Sequence, residues 1–124
     1  MQSQMSKGVV LVVEDEPLVR MGAVDTIQEA DYDTVEAVTA DDAIRILEAR
    51  KDIRIVFTDI NMPGSMDGLK LAKAIRDRWP PIELILTSAF VKLRASDLPE
   101  RGLFLAKPYL PEALAETLHR FEVP

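Results

Sequence analysis

The run Val9-Val10-Leu11-Val12-Val13, closed by Glu14-Asp15, decides the fold. Five consecutive aliphatic residues, mostly β-branched and without alternation, read as a strand covered on both faces. Strands of that kind belong to parallel sheets that carry helices on either side. Outward from this run the pattern recurs. Residues 32–37 make a second, shorter strand. Residues 55–58 (IVFT) make a third, ending in Asp59; residues 84–87 (LILT) make a fourth; residues 103–106 (LFLA) make a fifth, followed by Lys107-Pro108.

Helical patterns fill the gaps. Pro17 suits a first helical turn, because the N–H it lacks would be unbonded there, and the helix runs to about residue 30. Asp31 stands where a left-handed cap residue is expected. Thr39 caps a helix to about residue 50, with Asp42 three positions on. A Pro- and Gly-rich loop over 61–68 leads into a helix that ends near Trp79, stopped by Pro80-Pro81. Residues 91–98 predict a short, poorly patterned helix. The last helix spans 111–121, with Leu110, Leu114 and Leu118 on one stripe. Five strands alternating with five helices predict an α/β fold: a parallel sheet with helices on both faces.

Composition narrows the class. The chain has 124 residues, enough for one domain with a core of its own. Residues 1–7 read as a flexible leader and 8–124 as the domain, with no linker or second domain expected. Net charge is −6, which argues against a nucleic-acid footprint. The chain has no cysteine, which excludes disulfides, thiolate metal sites and cysteine nucleophiles and suits a reducing cytoplasm. The longest apolar run is far short of the ~20 residues that cross a bilayer, and the polar start carries no secretory core. Residues 1–67 hold 14 acidic and 6 basic side chains, against 7 and 9 in residues 68–124.

In an open parallel sheet the reactive crevice lies outside the carboxyl ends of the strands. There the sequence supplies Glu14 and Asp15, then Asp59, then Thr87-Ser88, then Lys107. Three carboxylates held together repel unless a cation joins them. A hard ion with oxygen ligands resolves that conflict, and Mg²⁺ suits one or two carboxylates, waters and a phosphate. The absence of His and Cys from the group disfavours zinc. A lysine and a hydroxyl opposite such an ion suit a phosphoryl group. One carboxylate is then the nucleophile, and Asp59, on the central run, is the candidate. Singly, each residue has an ordinary reading: Glu14 or Asp15 as a helix cap, Asp59 as a turn acid, Lys107 as a solvated charge, Thr87 as a strand residue. Their joint occurrence at four strand ends carries the reading.

The stretches VVLVVEDEP, FTDINMPGSMDG, LILTSA and LFLAKP, in that order, make the chain resemble the response regulator receiver domains of two-component signalling, over about residues 9–121, and of a stand-alone type. The resemblance implies a flavodoxin-like, doubly wound sheet of strand order 2-1-3-4-5. It implies Asp59 as phosphoacceptor, Asp15 as the direct metal carboxylate with Glu14 beside it, and Asn61 lending its backbone carbonyl to the ion. It implies Thr87 as the switch hydroxyl, Lys107 as the phosphate-binding lysine, a cis Lys107-Pro108 bond, and Phe104 as the switch aromatic. The implied activity is acceptance of a phosphoryl group from a histidine kinase or a histidine phosphotransfer protein. Output then goes to a separate effector protein, from a monomer or a weak phosphorylation-linked dimer, with no nucleic-acid or membrane partner. It is not expected to act as an enzyme on other molecules.

Departures from the family pattern are also legible. Glu14 stands for the commoner aspartate, the loop from Asp59 to Asp67 is one residue longer than usual, and the segment from Thr87 to Lys107 is slightly short. Phe104 lacks a hydroxyl, and Ala89 cannot orient a hydrolytic water. Two other classes compete: a receiver-shaped binding module independent of phosphorylation, and an Mg²⁺ phosphohydrolase with an aspartate nucleophile. The second wants an acid two residues after Asp59, where Asn61 stands. On the first helix Val19, Ala23, Thr26, Ile27 and Ala30 make the sheet-facing stripe, which leaves Leu18 and Met21 near the rim as candidate contacts for a phosphodonor protein. His119 reads as a surface histidine, Met62 and Met66 as loop packing, and Lys70, Lys73, Arg76 and Arg78 as a solvated helix face.

Overall fold

The computed structural model describes residues 6–61, 67–89 and 98–122. Within them five strands alternate with four helices: β1 (Val9–Val13), α1 (Pro17–Glu29), β2 (Asp33–Ala37), α2 (Ala40–Ala49), β3 (Ile53–Asp59), α3 (Gly68–Arg78), β4 (Glu83–Ser88), β5 (Gly102–Ala106) and α4 (Pro111–Arg120). The expected short helix falls almost wholly outside these residues, as do Met62, Met66 and the middle of the loop after Asp59.

The strands form one parallel sheet in the order β2-β1-β3-β4-β5. The apolar run that opens the domain is flanked on both sides, and all five of its residues are buried. Val9, Leu11 and Val13 face the core under α2 and α3, whereas Val10 and Val12 face the core under α1 and α4. That two-sided burial is why the run shows no polar alternation. Each such side chain contributes about 1.5–3 kcal/mol relative to exposure.

Local chemistry sets the element ends. The Thr39 hydroxyl accepts from Asp42 N–H at 3.1 Å and starts α2. Asp67 does the same for Lys70 N–H at 2.9 Å and starts α3, a cap hidden in the sequence by the loop before it. Pro17 occupies the first turn of α1. Asp31 adopts φ 72°, the left-handed conformation expected after α1.

Some expectations need correction. The third and fourth strands run longer, over Ile53–Asp59 and Glu83–Ser88, because neighbouring strands supply hydrogen-bond partners beyond the apolar centre. The second starts at Asp33, with Tyr32 buried just before it. Leu110 does not share the stripe of Leu114 and Leu118. Its extended backbone stands before the helix, and its side chain is 70% exposed. Val24 joins Ala23 and Ile27 on the buried side of α1. Arg76 is no solvated charge: its Nη1 donates to the carbonyls of Pro80 and Ile82, at 2.7 and 2.8 Å, and closes the turn after α3. Among the described residues no helix is long and apolar enough to cross a membrane.

Candidate functional site

Because every strand is parallel, all five carboxyl ends meet at one rim. β1 delivers Glu14 and Asp15, β3 delivers Asp59, β4 delivers Thr87 and Ser88, and β5 delivers Lys107. Register tightens the group: Asp59 pairs with Thr87, and Ser88 pairs with Ala106, the residue before the lysine.

One carboxylate oxygen from each of Glu14, Asp15 and Asp59 lies within 4.8 Å of the others. Glu14 and Asp59 are buried, and Asp15 is half-buried. Lys107 Nζ donates to Glu14 Oε1 and to Asp59 Oδ2, at 2.9 Å each. The other oxygens have their own donors: Glu16 N–H bonds Glu14 Oε2 and Asn61 N–H bonds Asp59 Oδ1, both at 3.1 Å. Burial pushes the Glu14 carboxyl above its ordinary range, against the pull of Lys107. For Lys107, burial works against the ammonium, but its bonds to Glu14 and Asp59 outweigh it and hold the pKa above normal.

The Thr87 hydroxyl is buried beside this group and has no hydrogen-bond partner among the described residues. An unmet buried hydroxyl costs free energy. The Lys107-Pro108 peptide is cis. Phe104 is half-buried and packs on the α2/α3 side of the sheet.

Leu18 and Met21 are 77% and 58% exposed. Leu18 borders a shallow groove of about 310 Å³ that runs past Gly22 to Lys107, Pro108 and Tyr109. The Tyr109 ring meets Phe57 edge-on at 6.0 Å. A larger cavity, about 430 Å³, lies at the opposite pole between Leu47 and Trp79, away from every acid of the rim. His119 is exposed, 3.6 Å from Glu122 and remote in sequence from the acids.

Arg20 has no place in the sequence reading, and Ser88, at the end of the fourth strand, has no role in it. Arg20 donates from Nη1 to the Glu14 carbonyl at 2.8 Å and from Nε to Glu36 at 2.9 Å, which straps the acidic turn to edge strand β2. Ser88 donates to Asn61 Oδ1 at 2.6 Å. Arg20 lies one turn after Glu16 on α1, a spacing that aims it back at the β1 end. Ser88 gives no signal beyond its adjacency to Thr87.

Comparison with known proteins places the chain in a family. The family described as the response regulator receiver domain matches residues 10–119. The chain is 37% identical over 113 residues to the sensor kinase CckA of Brucella abortus, covering 88% of this chain but only 12% of that protein. It is 32% identical over 114 residues to the chemotaxis protein CheY1 of Helicobacter pylori, covering 87% of this chain and 91% of that one. Among solved structures, the chemotaxis response regulator CheY4 of Vibrio cholerae superposes with TM-score 0.80 at 25% identity, covering 94% of this chain and 98% of the other.

Proposed function

The chain belongs to the response regulator receiver domain family, and from that membership we propose that Asp59 accepts a phosphoryl group from a phosphohistidine donor in an Mg²⁺-dependent reaction. Phosphoryl acceptance is the general function of the family; the donor, the ion and the residue roles are this reading's own. The observation that carries it is the Lys107 ammonium shared by Glu14 and Asp59, beside a Thr87 hydroxyl that has no partner among the described residues.

The donor set fits a hard cation. It offers only oxygens, from Glu14, Asp15 and Asp59, clustered tightly enough to favour a shared positive charge. The Asn61 backbone carbonyl joins them in this reading. When bound, Mg²⁺ offsets negative charge on the phosphoryl oxygens. An Asp59 carboxylate oxygen forms the bond to phosphorus as the bond to the donor imidazole nitrogen breaks, and the imidazole leaves. Lys107 meets the charge on the transferring group. Thr87 then has an acceptor for its hydroxyl, and its movement biases Phe104 and the β5/α4 face.

Leu18, which borders the groove, and Met21, exposed on the same helix, serve the histidine kinase or histidine phosphotransfer protein that donates. A separate effector reads the β5/α4 face, or the phosphoryl group passes onward, and the setting is the cytoplasm. Asn61 two positions after Asp59 cannot act as a general acid, which disfavours a phosphohydrolase. A binding module independent of phosphorylation has no need of both Asp59 and Lys107. The test is incubation with acetyl phosphate and Mg²⁺ followed by intact mass. Wild type gains one base-labile phosphoryl group and Asp59→Asn gains none; label that persists in Asp59→Asn refutes the acceptor.

A further inference from the structure

Ser88 closes β4 and is 2% exposed. Its carbonyl accepts from Lys107 N–H at 3.0 Å, while the preceding carbonyl, of Thr87, accepts from Ile60 N–H at 2.9 Å. Its hydroxyl reaches 27 positions back to donate to Asn61 Oδ1 at 2.6 Å, near the short end for such a bond. Asn61 in turn donates its own N–H to Asp59 Oδ1, at 3.1 Å. The two oxygens of Asp59 are therefore held from two directions. Lys107 holds Oδ2 from β5, and Asn61 holds Oδ1 from a peptide that is anchored on β4 through Ser88.

A carboxylate turns easily about its last torsion, whose energy profile is broad. Donors on both oxygens fix its plane, and a reacting group fixed beforehand avoids an orientational cost during transfer. Asn61 is exposed and stands just past the strand; the carbonyl of its peptide, that of Ile60, accepts from Gly68 N–H at 2.9 Å, and the Ser88 bond adds a second hold, on the Asn61 side chain. We propose that Ser88 is a positioning residue: by hydrogen-bonding the Asn61 side chain it sets the peptide whose N–H orients the Asp59 carboxylate for phosphoryl attack. This rests on the reading of Asp59 as acceptor.

The experiment compares wild type, Ser88→Ala, Asn61→Ala and the double variant in acetyl phosphate labelling with Mg²⁺. It also follows hydrogen exchange of the Asn61 backbone amide in metal-free wild type and Ser88→Ala. Each single substitution slows labelling by about three- to tenfold, the scale of one lost hydrogen bond. The double variant is no slower than either single one, because both remove the same link. Ser88→Ala speeds exchange of the Asn61 amide. Additive losses, labelling in Ser88→Ala that matches or exceeds wild type, or an unchanged Asn61 amide overturns the proposal. Wild type that takes no label overturns the acceptor reading itself, and the amide response separates that failure from a failure of the link.

Discussion

Gly68 stands against the main-chain carbonyl of Asp59 so closely that a β-carbon there would overlap the oxygen and lie 2.8 Å from Ile60 Cα. The contact is reinforced by Gly68 N–H donating to the Ile60 carbonyl at 2.9 Å. The first residue of α3 is thus packed on the backbone that presents the candidate acceptor.

Gly68→Ala tests that contact. In an ordinary helix alanine exceeds glycine by about 1 kcal/mol. Here the sign reverses, because the backbone of Asp59 and Ile60 must move, and the expected loss is about 1–3 kcal/mol. Denaturant midpoints measure it; a gain in stability would contradict the packing.

Glu14→Gln addresses the charge of the rim. A buried carboxyl with a raised pKa supports the fold most at low pH and loses that support as pH rises through its folded value. The metal-free Gln variant, which keeps Lys107 on Asp59, therefore gains stability relative to wild type as pH rises toward neutrality. The gap widens as pH climbs from the ordinary glutamate value of 4.5. Thermal unfolding of both proteins across acid and neutral pH checks it, and a gap that shrinks with pH counts against it.

Lys107→Met removes the one ammonium that bridges Glu14 and Asp59. Acetyl phosphate labelling falls about a hundredfold, the low end for loss of a placed electrostatic donor. A change under threefold would mean that Lys107 serves only the resting structure.

The chain has two tyrosines, and both are displaced in the same direction. Burial pushes Tyr32 up to about 12, with Glu122 adding to it. Burial also pushes Tyr109 up to about 12; Lys107 opposes the shift, and Glu14 and Asp59 add to it. The neutral phenols support the fold fully below about 10, the unfolded value, and that support is lost as pH rises toward 12. Tyrosinate absorbance of the folded protein shows no step near 10. A step there with circular dichroism unchanged contradicts the burial.

Leu18→Asp with Met21→Asp separates docking from chemistry. Transfer from a phosphohistidine protein is abolished while acetyl phosphate labelling stays within about twofold, since surface substitutions leave stability nearly intact. Equal loss of both activities rules out the docking role.

The strand ends were legible in the sequence because a run covered on both faces cannot continue past the sheet, so the polar residue after it must stand at the rim. Glu14, Asp59 and Lys107 follow from that alone. Leu110 was misread for a local reason: helical spacing aligns it with Leu114 and Leu118, but its backbone is still extended before Pro111. The contacts of Arg20 and Ser88 were invisible for a different one. Each acts across elements, on a carbonyl and on a side chain, and neither target is encoded in the spacing around it.

The lysine bridge carries one more consequence, in the order of assembly. Lys107 and Glu14 are 93 positions apart, on elements at opposite ends of the chain. Contacts of such separation are entropically expensive and tend to close late. A molecule in which β5 has not docked carries its carboxylates without their ammonium and, on the reading proposed above, accepts a phosphoryl group poorly. On the reading of Asp59 as acceptor, phosphoryl uptake counts molecules whose sheet is complete through its last strand, and it can serve as an active-site titration of the correctly folded fraction in any preparation.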